Sequence, residues 1–154
     1  MRIRAVAIVI KNNQLLVLFR RKDGKEYFTF PGGGVESGEN IEDAAIRELK
    51  EETSIEAKIK KLLYHHIYDD DTEHYFYLCD YMSGIPKLGD NSEEKIRNLS
   101  GNFYEPRFVN IDNLKNLLLY PLEIRDWLIE DLKNDFKNCP KVASLKVSEL
   151  RENI

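Results

Sequence analysis

Cysteine is scarce in this 154-residue chain, which has only Cys79 and Cys139. They stand in no metal-binding or redox spacing, so a disulfide framework and a zinc knuckle are excluded and two reduced thiols are expected. A basic excess is missing as well. Lys plus Arg number 23 against 27 Asp plus Glu, a net charge of −4, which argues against a partner of nucleic-acid polymer held by phosphate neutralisation. A chain of this balance that handles phosphates needs a cation. Long apolar runs are also lacking. Residues 5–10 are apolar after Arg2 and Arg4, but the run is too short to span a membrane, and no small-residue cleavage site precedes Lys11-Asn12-Asn13. A cytoplasmic protein with no membrane partner is the expectation. There is no repeat or low-complexity segment, and the length suits one domain with a substantial core.

What is present is concentrated between residues 33 and 55. A glycine-rich turn, Gly32-Gly33-Gly34 with Gly38 close behind, leads into a segment patterned as a helix from Ile41 to Thr53. Asn40, with Asp43 three residues on, resembles an N-cap box. Ile41, Ala45, Ile46 and Leu49 form the apolar side. Beside it stand Glu48, Glu51 and Glu52, at i, i+3 and i+4, with Glu48 and Glu52 about 40° apart around the axis. Like charges so placed repel, by roughly 0.2–0.5 kcal/mol per pair in an isolated helix, so the arrangement anticipates a cation. Carboxylate oxygens suit Mg²⁺ or Mn²⁺. A charge run taken alone is more often a solvated helix face. The glycine turn and Arg47 at fixed offsets reverse that judgement.

These residues match the signature of the Nudix hydrolases, the MutT-type diphosphatases. Gly33, Glu39, Arg47, Glu48, Leu49, Glu51, Glu52 and Ile55 stand at the family's offsets, and Ser54 departs from it by occupying the usual glycine position at the helix exit. The resemblance implies an α/β protein of the Nudix fold, an α/β/α sandwich around a mixed β-sheet. It implies Glu48 and Glu52 as the main Mg²⁺ ligands (Mn²⁺ as the alternative), Glu51 contributing or holding a metal-bound water, and backbone carbonyl groups near Gly33 completing the shell. Arg47 would orient these carboxylates, pairing with Glu51 or Asp43 four residues away. Glu39, at the positive end of the helix, is expected to be largely structural. Ser54 removes no ligand and sits where a left-handed backbone is expected.

Along the rest of the chain, alternation and turn residues predict a hairpin from Arg2–Ile10 and Leu15–Arg20, and a short strand Tyr27–Phe30. Regular structure should stop at Pro31 and the glycines. Two strands, Glu56–Tyr68 and Glu73–Met82, are expected to join through Asp69-Asp70-Asp71. A long polar loop from Gly84 to Gly101 precedes a last strand, Phe103–Ile111. Asp112 is expected to cap a short helix to Leu118, and Ile124, Trp127, Leu128, Leu132 and Phe136 to form a second amphipathic helix before Pro140. The domain is thus expected over 1–140, with a weakly patterned tail over 141–154 that would suit contact with a neighbouring subunit in a homodimer.

Further candidates lie outside the signature. A general base drawn from a late loop points to Glu93, Glu94 and Glu105, with Glu105 first; each is otherwise a plain surface carboxylate. Arg20, Arg21 and Lys22 are placed to grip terminal phosphates of a small nucleotide substrate, against the equal reading of a solvated strand end. Tyr27, Phe28 and Phe30 offer faces to a nucleobase, although strand aromatics are more often core. His65, His66 and His74 lack ligand spacing and receive no role. The function expected from the resemblance is hydrolysis of a nucleoside diphosphate linked to another moiety. The leading case is a nucleoside triphosphate, including an oxidised purine, giving monophosphate and pyrophosphate. A nucleotide-sugar or dinucleoside-polyphosphate pyrophosphatase and a non-catalytic nucleotide-binding regulator are the alternatives.

Overall fold

The computed structural model describes residues 2–89, 92, 98 and 101–147. Nine strands form one mixed sheet: β1 Arg2–Lys11, β2 Gln14–Lys22, β3 Lys25–Thr29, β4 Gly32–Gly34, β5 Glu56–Tyr68, β6 Thr72–Ser83, β7 Phe103–Asn110, β8 Leu119–Tyr120 and β9 Lys141–Leu145. The strand order is β8-β3-β2-β1-β6-β5-β9, with β4 added on β1 and β7 on β2. Helix α1 is Ile41–Thr53, as the periodicity predicts, and Asn40 caps it by accepting from the Asp43 amide at 3.0 Å. Helix α2 is Leu122–Leu132. Among the described residues no helix is long and apolar enough to cross a membrane.

The helices cover opposite faces of the sheet, the sandwich that the pattern predicts. On one face Ala44, Ala45 and Leu49 of α1 pack on Ala5, Ala7 and Val9 of β1, where alternate alanines let the helix come close. On the other, Ile124 and Leu128 of α2 pack with Val6, Ile8, Tyr64 and Phe76. Alternation along β1 therefore feeds both cores. The first hairpin closes through Asn12 and Asn13, both at positive φ (51° and 60°), the geometry in which two-residue turns match the twist of their strands.

Four expectations are corrected. The glycines after Pro31 do not end regular structure: Gly32, Gly33 and Gly34 pair antiparallel with Val6, Ala5 and Arg4, because side-chain-free backbone can lie flush against β1. A Cβ on Gly32 would meet the Ala5 carbonyl oxygen at 2.6 Å. The short helix is a 3-10 helix, Ile111–Asn116, and its cap is Asn110, whose side chain accepts from the Asp112 amide. Helix α2 stops before Phe136, where Asp135 and Phe136 adopt positive φ and turn the chain. Finally, the segment after residue 140 begins with a strand, β9, running parallel to β5.

A buried ionic contact holds that strand. Asp131, fully buried on α2, accepts from the Tyr64 hydroxyl at 2.7 Å and from Lys141 Nζ at 2.8 Å. A carboxylate without solvent requires such partners, and here they tie β9 and β5 to the helix.

Candidate active site

Helix α1 presents its carboxylates where β4 passes beneath it. Glu52 is buried, at 3 % exposure, and its Oε1 accepts from the Gly32 amide at 2.7 Å. Glu48 lies directly on Gly33: a Cβ there would fall within the Glu48 carboxylate, with Oε2 only 2.7 Å away. That is why this position takes glycine. Glu51 is half exposed. All three acids thus share one side of the helix, as their spacing predicts, and Gly33 is beside them.

Arg47 organises this group. Its Nε and Nη2 donate to the two oxygens of Glu39 at 2.7 and 2.9 Å, Nη1 donates to Glu48 at 2.9 Å and reaches Glu51 at 3.5 Å, and Nη2 also donates to the Gly34 carbonyl at 3.1 Å. The expected Glu51 partner is present, but the two-pronged partner is Glu39, eight residues back, and Asp43 is not among its ion pairs. Chain reversal at the helix entrance brings Glu39 there, which helical spacing cannot anticipate. The Arg47 hydrogen bond holds the Glu39 carboxyl down at about 2, and Glu39 in turn raises the guanidinium far above its ordinary value. Glu39 is therefore an orienting group for the arginine.

Among the described residues no three acidic, histidine or cysteine side chains converge as a finished metal cage. The donor set still suits a hard divalent ion: carboxylates on one helix face, one of them against a backbone cradle that only glycine leaves open.

The helix exit is left-handed as expected, with Ser54 at φ 63° and its amide bonded to the Lys50 carbonyl. Its side chain has a further use. Ser54 Oγ donates to the Lys87 carbonyl at 2.7 Å, while the Lys87 and Gly89 amides donate to the Thr53 and Glu51 carbonyls, both at 2.9 Å. Residues 87–89 are thereby strapped across the helix end.

Glu52 and Gly32 also line a cleft of about 390 Å³. The cleft opens where the first hairpin splits. β1 and β2 pair near their turn, Ile10 with Leu15 and Lys11 with Gln14; beyond it β1 pairs with β4 and β2 with β3, while β7 runs along nearly all of β2. One wall carries Arg2, Arg4 and Val6 with Thr72, His74 and Phe76. The other carries Leu18, Arg20, Tyr27, Tyr104 and Tyr120. The Arg20 guanidinium lies over the Tyr104 ring at 3.6 Å and 5.4 Å from the Tyr27 ring, and donates to Asn102 Oδ1 at 2.7 Å.

The residues predicted to bind substrate divide by strand alternation. Arg20 and Tyr27 are cross-strand partners and both face the cleft. Arg21 and Phe28 face the other way: Arg21 is exposed and paired with Glu26 at 3.0 Å, and Phe28 packs on Phe19 at 5.4 Å. Glu105 follows Tyr104 and so points away from the cleft; it is half exposed and paired with Arg107 at 2.7 Å. Glu93 and Glu94 lie outside the described residues. Arg2, Arg4, Tyr104 and Tyr120 were missed, although the period-two spacing of Arg2, Arg4 and Val6 put them on one face.

The family model of the NUDIX domain matches residues 1–128. An ADP-ribose pyrophosphatase of Methanocaldococcus jannaschii is 38% identical over 93 residues, and the match covers 56% of this chain and 55% of that protein. An RNA pyrophosphohydrolase of Haemophilus ducreyi is 46% identical over 59 residues, covering 38% of this chain and 30% of that one. The chain thus spans about half or less of the curated relatives it matches. Among solved structures, a NUDIX hydrolase from Nitrosomonas europaea superposes with a TM-score of 0.71 at 16% identity, over 94% of this chain and 78% of that one. A MutT structure from work on Aliivibrio salmonicida and Vibrio cholerae superposes at 0.62 and 23% identity, over 84% and 93% of the two chains. With the family model covering most of its length and the carboxylate helix set against the glycine strand, this chain belongs to the Nudix family.

Proposed function

We propose that this protein hydrolyses a phosphoanhydride bond in a nucleoside diphosphate joined to a further group, with a nucleoside triphosphate, giving monophosphate and pyrophosphate, as the leading substrate. The observation that carries this reading is one cleft with the buried Glu52 on its wall and Arg20 beside Tyr104 and Tyr27 farther along it. In the reaction a water oxygen bonds to one phosphorus as its bond to the bridging oxygen breaks. The bridging oxygen leaves on the other phosphate, and the water gives up a proton. Glu48, Glu51 and Glu52, with backbone carbonyl groups near Gly33, would hold Mg²⁺ or Mn²⁺. Such an ion, when bound, screens phosphate charge and acidifies water.

The chain's own residues have separable tasks. Arg47, clamped by Glu39, fixes Glu48 and leaves Glu51 half exposed. The Gly32 amide fixes Glu52. On the aromatic wall Tyr27 and Tyr120 offer faces for a base, while the buried Tyr104 ring carries the Arg20 guanidinium.

A second reading, hydrolysis of a nucleotide sugar, is favoured by the likeness to the archaeal ADP-ribose pyrophosphatase. The test is a panel of nucleoside triphosphates, ADP-ribose, other nucleotide sugars and dinucleoside polyphosphates, each with Mg²⁺ or Mn²⁺ and with chelator, read by phosphate products. Turnover that requires the ion supports the hydrolase. A chain that binds nucleotides in this panel and cleaves none would be a binding module instead.

A further inference from the structure

The described arginines fall into two groups. Arg21, Arg47, Arg107 and Arg125 are each paired with a carboxylate. Arg2, Arg4 and Arg20 form no ion pair among the described residues, and all three line the same cleft. Unneutralised guanidinium groups gathered in a concavity raise the local concentration of anions and match phosphate oxygens. Two carboxylates, Glu52 and Asp70, share the cleft. Among the described residues neither forms an ion pair with the three arginines; Glu52 Oε1 accepts from the Gly32 amide, and Asp70 Oδ1 from the Thr72 amide at 3.0 Å.

The three cations are also divided in space. Arg20 belongs to the tyrosine wall. Arg2 and Arg4 project from the same face of β1, opposite Thr72 and His74 of β6 in register. Arg4 Nη2 lies 3.4 Å from the Gly32 carbonyl oxygen, and the amide of that same residue is bonded to Glu52. One glycine thus has Arg4 at its carbonyl and the helix carboxylate at its amide, with Arg2 two residues farther out, about 7 Å along the strand. His74, facing Arg4, is buried among aromatic rings, and burial holds it neutral, down at about 3. It adds no charge at neutral pH.

We propose that Arg4 and Arg2 are specificity residues that grip phosphate beyond the substrate's diphosphate, at the end away from the nucleoside. The substrate's second moiety is then itself a phosphate chain, as in a nucleoside triphosphate or dinucleoside polyphosphate, and not an uncharged sugar. This rests on the hydrolase reading and deepens it. A nucleotide sugar such as ADP-ribose has no phosphate beyond its diphosphate, and would leave Arg2 and Arg4 without an anion.

The test compares kcat/KM for ATP and ADP-ribose, which share a nucleoside, in wild type and in Arg4→Gln, Arg2→Gln and Arg4→Lys. Lys58→Gln, an exposed change of the same charge on β5, is the control. Wild type should favour ATP, and Arg4→Gln should lower kcat/KM for ATP about tenfold to a hundredfold more than for ADP-ribose, the scale of one lost charge-assisted contact. Arg2→Gln, more exposed, should act in the same direction but less, Arg4→Lys should restore part of the preference, and Lys58→Gln should not change the ratio. Preference for ADP-ribose in wild type, or equal losses on both substrates, overturns the assignment while leaving the hydrolase intact. If neither compound is cleaved, titration of inorganic tripolyphosphate decides separately: binding weakened by Arg4→Gln upholds the phosphate grip although the hydrolase reading fails, and unchanged binding rejects it.

Discussion

Adjacent glycines in β4 should respond oppositely to the same added methyl group. At Gly33 a Cβ would collide with the Glu48 carboxylate, the far end of a flexible side chain, which can swing aside. Gly33 is not at positive φ, so alanine is compatible with its backbone. Its smaller unfolded-state entropy favours folding by about 0.4–1 kcal/mol, offsetting most of the crowding. Stability of Gly33→Ala should therefore stay within about 1 kcal/mol of wild type, a shift of no more than about 4 °C at this chain length. Turnover should fall about a hundredfold, because displacing Glu48 by about an ångström moves a group that the chemistry needs in place. At Gly32 the obstacles are backbone: the Ala5 carbonyl oxygen at 2.6 Å and the Val6 Cα at 2.9 Å. Neither can yield without separating β4 from β1, so Gly32→Ala should cost about 1–3 kcal/mol, as overpacking does. Thermal unfolding followed by circular dichroism, together with turnover of the best substrate in the nucleotide panel, measures both quantities. Full turnover by Gly33→Ala, or a Gly32→Ala protein as stable as wild type, would refute the close approach of β4 to α1 and β1 on which the site is built.

Glu39→Gln should lower turnover about tenfold to a hundredfold with little loss of stability, because a neutral amide cannot hold both donors of Arg47; undiminished turnover in steady-state assays would deny Glu39 its orienting role. Ser54→Gly should relieve the left-handed backbone but lose the bond to the Lys87 carbonyl, so urea denaturation should show a net change of about 1 kcal/mol or less; a large fall in turnover would instead mean that the strap governs the site. Acid should weaken the fold through His66 and His74, which burial holds down at about 4 and about 3. Above the ordinary histidine value of about 6.5 both are neutral folded or unfolded, but below it only the unfolded chain takes up the protons. Stability should therefore drop from about pH 6.5 toward pH 4, at up to about 1.4 kcal/mol per pH unit for each histidine, and a urea midpoint that stays level from pH 7.5 to pH 5 would contradict their burial. Lys141→Ala should cost about 3 kcal/mol by leaving the buried Asp131 short of a cation; a smaller loss, below about 1 kcal/mol in denaturant, would show that the Tyr64 hydroxyl and Cys139 thiol satisfy it.

Local rules made much of this molecule legible. The span of α1, its Asn40 cap, the left-handed Ser54 and the common side of Glu48, Glu51 and Glu52 follow from helical periodicity and end chemistry, which act over a few residues. The first hairpin and the paired strands β5 and β6 follow for the same reason. The carboxylates of that helix also fall at the offsets of a known family, so the family is legible in the sequence.

Where the inference failed, the deciding interaction was distant in sequence. Alternation stated that Arg20 and Arg21 must face opposite ways, as must Tyr27 and Phe28, but not which way led into a cleft, because the cleft exists only where β1 and β2 part to different neighbours. Glu105 faces away from the cleft by the same parity, one residue beyond Tyr104. Arg47 found Glu39 through a chain reversal, not through a helical turn, and the glycines after Pro31 became a strand because β1 had edge groups to offer them. Residues 141–145 carry little pattern of their own, and joined the sheet through pairing with β5 and the ion pair of Lys141 with a buried carboxylate ten residues earlier. The sequence by itself determined α1, the strands with clear alternation and the chemical outfit of the helix, since propensity, capping and periodicity are local energies. Only the tertiary structure decided which side chains share a cavity, since that depends on strand pairings between residues far apart along the chain.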